Sequence, residues 1–123
     1  MKRILVVDDD PAVRKLVTDV LCEHYAVTVA GNGAEALELV RQAPPDAILL
    51  DMMMPVMDGW TFLEVYREQS QCEQIPVVVV SAEPGACDGQ QLGVHACVSK
   101  PFDVDRLKAT VEQLFTETAL RPV

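Results

Sequence analysis

The stretch "ILVVDDDPAVR", residues 4–14, decides the fold of this chain. Ile4 to Val7 form a short, unbroken aliphatic run, the pattern of a strand covered on both faces, which a parallel sheet requires. The run ends directly in Asp8, Asp9 and Asp10. Pro11 suits the first position of a helix, and Asp10 before it suits the cap. Like charges crowded at one strand end repel, and at ~4 Å with an effective dielectric of ~20 each pair costs roughly 4 kcal/mol. A cation bound at the turn would offset that cost.

Working outward, four further stretches read as strands: Val27 to Ala30, Ala47 to Leu50, Val77 to Val80 and Ala96 to Ser99. Helical patterns separate them. After Pro11 the apolar residues Val13, Leu16, Val17, Val20 and Leu21 recur at helical spacing and define one stripe. Asn32 with Glu35 three residues on is a capping-box signal for a second helix, with Leu37 and Val40 inward. A third helix opens near Gly59 and packs Phe62, Leu63 and Tyr66. The last, capped near Asp103, aligns Val104, Leu107, Val111, Leu114 and Phe115. Alternating strands and helices joined by right-handed crossovers give an α/β fold: a single doubly wound, five-stranded parallel sheet in the order 2-1-3-4-5. The segment "PGACDGQQLG", residues 84–93, is too rich in Gly and Pro for a long helix, so a shortened fourth helix is expected there.

The chain has 123 residues, half of them hydrophobic, which matches one ordinary domain with its own core. Nineteen acidic against ten basic residues give a formal net charge of -9, which disfavours nucleic acid and anionic membrane surfaces as partners. Cys22, Cys72, Cys87 and Cys97 show no C-x-x-C pair and no secretory leader precedes them, so they read as reduced thiols of a cytoplasmic protein. No apolar run approaches the ~20 residues of a membrane span.

In a parallel sheet the carboxyl ends of all strands share one edge. That edge collects Asp8 and Asp9 after the first strand, Asp51 after the third, Ser81 after the fourth and Lys100 after the fifth. Carboxylates on short turns suit a hard divalent cation such as Mg²⁺. With the metal field supplied largely by Asp8 and Asp9, Asp51 can act as a nucleophile toward phosphorus. Lys100 would then pair with one phosphoryl oxygen and Ser81 would donate a hydrogen bond to another. Each residue alone has a plainer reading: solvated loop acids, a common post-strand Asp, an unremarkable Ser or Lys. Their coincidence at four strand ends favours chemistry. Asp10 reads as a helix cap, His24 and His95 as surface histidines, and Met52, Met53, Met54 and Met57 as soft apolar packing around Pro55.

With those residues placed, the chain resembles the receiver domains of two-component response regulators, a flavodoxin-like family. The likeness rests on "VVDDDP", "LLDMMMPVMDGW", "VVVVSA" and "VSKPF", and covers nearly all of the chain. It implies a receiver domain over residues 1–123 with no output domain, acting in signalling rather than as an enzyme. Asp51 would accept a phosphoryl group from a histidine kinase or histidine phosphotransfer protein and so alter binding to a downstream protein. Asp9 and Asp51 would ligate Mg²⁺, with Asp8 acting through water and the Met53 carbonyl completing the protein ligands. Ser81 and Lys100 would engage the phosphoryl group, and the Lys100–Pro101 bond would be cis. Family members usually carry Tyr or Phe three residues before the Lys; here Cys97 stands instead, and the segment between Ser81 and Cys97 is short. Ordering of residues 82–94 would then replace an aromatic switch. Kinase specificity is expected at Arg14, Lys15, Thr18 and Asp19 as exposed positions of the first helix. Two rivals are a docking module that works without phosphorylation and a phosphohydrolase of the haloacid dehalogenase type using Asp8 and Asp10.

Overall fold

Each strand lies where its aliphatic run predicts, because alternate side chains of one strand serve opposite faces of the sheet. The computed structural model describes residues 1–51, 54, 56–57, 59–68, 75–81, 96–99 and 103–120. Its strands are β1 (Lys2–Val7), β2 (Tyr25–Ala30), β3 (Ala47–Leu50), β4 (Val77–Ser81) and β5 (Ala96–Ser99), and its helices α1 (Pro11–Leu21), α2 (Gly33–Gln42), α3 (Gly59–Arg67) and α4 (Val104–Leu120). The parallel sheet runs β2-β1-β3-β4, and β5 joins at the β4 edge with Val78 opposite Ala96 and Ser81 opposite Ser99. β1 and β2 begin two residues earlier than their aliphatic runs, since Lys2 and Arg3 pair with Tyr25 and Ala26 in the same ladder.

The alternation builds two cores. Leu5, Val7, Ile48, Leu50, Val77 and Val79 face α2 and α3, where Leu37, Val40, Phe62, Leu63 and Tyr66 close over them. Ile4, Val6, Leu49, Val78, Val80 and Val98 face the other way, against Val17 and Leu21 of α1 and Leu107, Val111 and Leu114 of α4. Each fully buried aliphatic or aromatic side chain contributes about 1.5–3 kcal/mol through lost apolar exposure, so both layers are strongly held.

The helix starts follow local chemistry. Asp10 accepts the Ala12 N–H at 2.9 Å and Asn32 accepts the Glu35 N–H at 2.9 Å. Glu35 reaches back to the Gly31 N–H at 3.3 Å, one residue beyond the usual capping-box target, the N–H of Asn32. Asp103 caps α4 by accepting the Asp105 N–H at 2.8 Å.

The expected α1 stripe needs one correction: Leu16 is 44% exposed. Helical geometry explains it, since Leu16 lies 100° from Val17, on the side away from Leu21. The same rotation turns Arg14 and Thr18 inward, so these two are half-buried rather than exposed, while Lys15 and Asp19 pair on the surface at 2.9 Å. The expected shortened fourth helix, the ordering of residues 82–94 and the Lys100–Pro101 bond lie outside the described residues. Among the described residues no helix is long and apolar enough to cross a membrane.

Candidate functional site

The ends of β1 and β3 are tied together where the acids begin. The Asp51 N–H donates to the Val7 carbonyl at 2.9 Å, and the Asp8 N–H donates to the Ala30 carbonyl of β2 at 3.1 Å. These ladder bonds continue three strands up to the acidic turns and bring residues 8 and 51 side by side. Asp8, Asp9 and Asp51 each place a carboxylate oxygen within 4.8 Å of the others.

The three acids are not equivalent. Asp8 and Asp51 are buried at 3% and 4% exposure, while Asp9 is exposed. Asp8 and Asp51 line a small pocket of about 10 Å³ together with Val6, Val7, Val13, Val17, Leu49 and Val80, so the buried pair borders an aliphatic wall. Two carboxylates at this spacing repel by several kcal/mol even at an effective dielectric of ~20. A hard, oxygen-preferring cation fits that donor set: all three groups are carboxylates and one is open to solvent.

Asp8 is further restrained locally. Its Oδ1 accepts the Asp10 N–H at 2.9 Å, and its backbone carbonyl accepts Arg14 Nη1 at 2.8 Å. Asp10, by contrast, is committed to the α1 cap and stands outside the carboxylate group, which leaves the Asp8 and Asp10 pairing of the phosphohydrolase rival without its second acid. His24 is exposed and packs edge-on to Tyr25 at the amino end of β2, away from the acids.

The loop after β3 is anchored to α2. The Gly33 N–H donates to the Met57 carbonyl at 3.1 Å, and a Cβ at Gly33 would come within 2.9 Å of that oxygen. Met54 and Met57 pack against the α2 and α3 core, as their reading as soft apolar fillers anticipates. Val56 between them is 85% exposed and adopts φ 68°.

Of the remaining expected site residues, Ser81 ends β4 and stands opposite Ser99 in the ladder, one residue before Lys100. Met53 and Lys100 lie outside the described residues. Sequence reasoning missed Arg14 as part of this turn. The available signal was a basic residue in the first turns of a helix, where the macrodipole disfavours a cation.

Comparison with known proteins agrees with this geometry. The family model for the response regulator receiver domain matches residues 4–112. The chain is 40% identical over 117 residues to the sensor histidine kinase TmoS of Ectopseudomonas mendocina, covering 93% of this chain and 12% of that protein. It is 38% identical over 116 residues to the response regulator Rre1 of Synechocystis sp., covering 90% of this chain and 50% of that one. The chain therefore spans about half the length of such response regulators and a small part of the kinase. The solved structure of the chemotaxis response regulator CheY4 of Vibrio cholerae superposes with a TM-score of 0.85 at 32% identity, over 92% of this chain and 98% of that one.

Proposed function

The chain belongs to the response regulator receiver domain family, and from that premise we propose that it is a Mg²⁺-dependent phosphoacceptor in which Asp51 is the phosphorylated residue. The observation that carries this reading is the meeting of the Asp8, Asp9 and Asp51 carboxylates within 4.8 Å at two adjacent strand ends. Receiver domains bind Mg²⁺ in their acidic pocket. Here Asp9 and Asp51 would be direct ligands with the Met53 carbonyl, and Asp8 would act through water.

The transfer proceeds from a phosphohistidine of a histidine kinase or histidine phosphotransfer protein. An Asp51 carboxylate oxygen attacks the phosphorus as the P–N bond breaks. The electron pair of that bond stays on the imidazole nitrogen, and the product is an aspartyl phosphate. Mg²⁺ supplies neutralisation of the charge on the phosphoryl oxygens. The Asp51 N–H on the Val7 carbonyl fixes the Asp51 backbone at the sheet edge, beside Asp8. Lys100 would pair with one phosphoryl oxygen and Ser81 would donate to another. Phosphorylation of Asp51 would then alter binding to a downstream protein in the cytoplasm, with Cys97 standing where the family usually carries an aromatic.

Intact mass after incubation with acetyl phosphate tests this reading. Gain of one phosphoryl mass with Mg²⁺, lost with EDTA and lost in Asp51→Asn, is the expected result. No gain by a folded protein that binds Mg²⁺ and is also refused by histidine kinases would replace it with a phosphorylation-independent docking module.

A further inference from the structure

Arg14 sits where two electrostatic effects oppose it. It is the fourth residue of α1, near the positive end of the helix dipole, and it lies beside a site read as cationic. A cation there costs helix stability and repels an incoming metal. Its geometry supplies a reason for its presence. Nη1 donates to the Asp8 carbonyl at 2.8 Å, and that carbonyl belongs to the same planar peptide unit as the Asp9 N–H.

We infer that Arg14 is a positioning residue of the metal-binding turn: its guanidinium fixes the peptide plane joining Asp8 to Asp9 and thereby the direction of both carboxylates. The inference rests on the reading of these acids as Mg²⁺ ligands. The helix turn that carries Arg14 is itself braced. Thr18 Oγ1 donates to the Arg14 carbonyl at 2.7 Å, holding the helix turn that carries it. Gly31 lies beneath the guanidinium, so closely that a Cβ there would stand 3.2 Å from Nη1. Glu35 Oε2, which accepts the Gly31 N–H at 3.3 Å, lines the same spot. The turn after β2 is thus shaped to seat Arg14, and Arg14 in turn holds the turn after β1. With the Asp8 N–H on Ala30 and the Asp8 Oδ1 on the Asp10 N–H, the contact restrains the remaining backbone group of Asp8.

Positioning and charge predict opposite signs, which makes the idea testable. If Arg14 acted only as a nearby positive charge, its removal would tighten Mg²⁺ binding. If it positions the ligands, removal weakens binding in the way that loss of an outer hydrogen-bond partner does, by about 10-fold. Calorimetric titration of the metal-free full chain with MgCl₂ distinguishes the two, with melting in EDTA as the fold control. Arg14→Ala is expected to bind about 10-fold more weakly, and Arg14→Lys, which keeps one donor, to recover most of that loss. Gly31→Ala keeps the charge but presses on the guanidinium, and is expected to weaken binding by roughly 3-fold. Equal or tighter binding by Arg14→Ala, or by Gly31→Ala should Arg14→Ala fail to fold, overturns the inference alone. Absence of Mg²⁺ binding by the wild-type chain overturns it together with the proposed function.

Discussion

The backbone N–H of Asp51 donates to the carbonyl of Val7 at 2.9 Å, so the acid after β3 is registered against the last residue before Asp8. A one-residue slip of β3 would turn its side chains to the opposite faces and remove Asp51 from the site. The buried side chains on both faces of the sheet, among them Leu49 and Leu50, are what prevent that slip.

The crowding of anions at this junction predicts that the site is held at a cost to the metal-free fold. Asp8→Asn keeps the Oδ1 that accepts the Asp10 N–H but removes one buried charge. It should raise metal-free stability by about 1–2 kcal/mol, below the full pairwise repulsion because the remaining groups relax. Thermal melts with EDTA and with Mg²⁺ check this: the variant should melt higher in EDTA and lose most of the Mg²⁺-induced rise. A lower midpoint in EDTA would show that repulsion is not what limits the apo protein.

Val56 is a β-branched residue at φ 68°, a conformation that costs an L residue about 1–2 kcal/mol. Since it is 85% exposed, truncation forfeits little packing. Glycine removes the strain while adding roughly 0.5–1 kcal/mol of unfolded-state entropy. Val56→Gly is therefore expected to gain about 0.5–1 kcal/mol net, read as a midpoint higher by a few degrees. Val56→Asn, which tolerates the left-handed region, should move in the same direction.

Gly33 presents the opposite case. Alanine is the better helix former by about 1 kcal/mol, yet its Cβ would lie 2.8 Å from Met57 Cγ and 2.9 Å from the Met57 carbonyl oxygen. A side chain can swing away, but that carbonyl is held by the Gly33 N–H itself. The clash decides the sign, and Gly33→Ala should destabilise by about 1–3 kcal/mol. Chemical denaturation would show it as a lower midpoint at unchanged slope.

Burial, and then the negative charge of Glu112, raise the Tyr25 pKa above its ordinary value of 10.0. The folded state therefore holds the phenolic proton more tightly than the unfolded chain does. The resulting stability is complete below pH about 10 and is lost as pH rises through the raised folded value. Tyr25→Phe should flatten that alkaline decline, measured as denaturation midpoints across pH 9 to 11. The tilted ring contact with Phe115, at 5.4 Å between centroids, is retained by the substitution.

Much of this protein follows from short-range patterns. Aliphatic runs such as Val77 to Val80, and caps such as Asp10 and Asn32, act within a few residues, so they specify strands and helix starts without knowledge of their neighbours. The handedness of crossovers then orders the parallel sheet, which alone brings residues 8, 9 and 51 to one edge. What the tertiary structure decided is everything that depends on contacts between segments distant in the chain. Asp8 and Asp51 are buried while Asp9 faces solvent, and the buried pair shares its pocket with Val13 and Val17 of α1, a helix distant from Asp51 in the chain. Leu16 lost its place in the core, and Arg14 gained one at the site, because the rotation of α1 is set by the packing of Val17 and Leu21 against the sheet. A helical period shows which residues share a face; only docking against the sheet fixes which face turns inward, and with it the partner that each side chain meets.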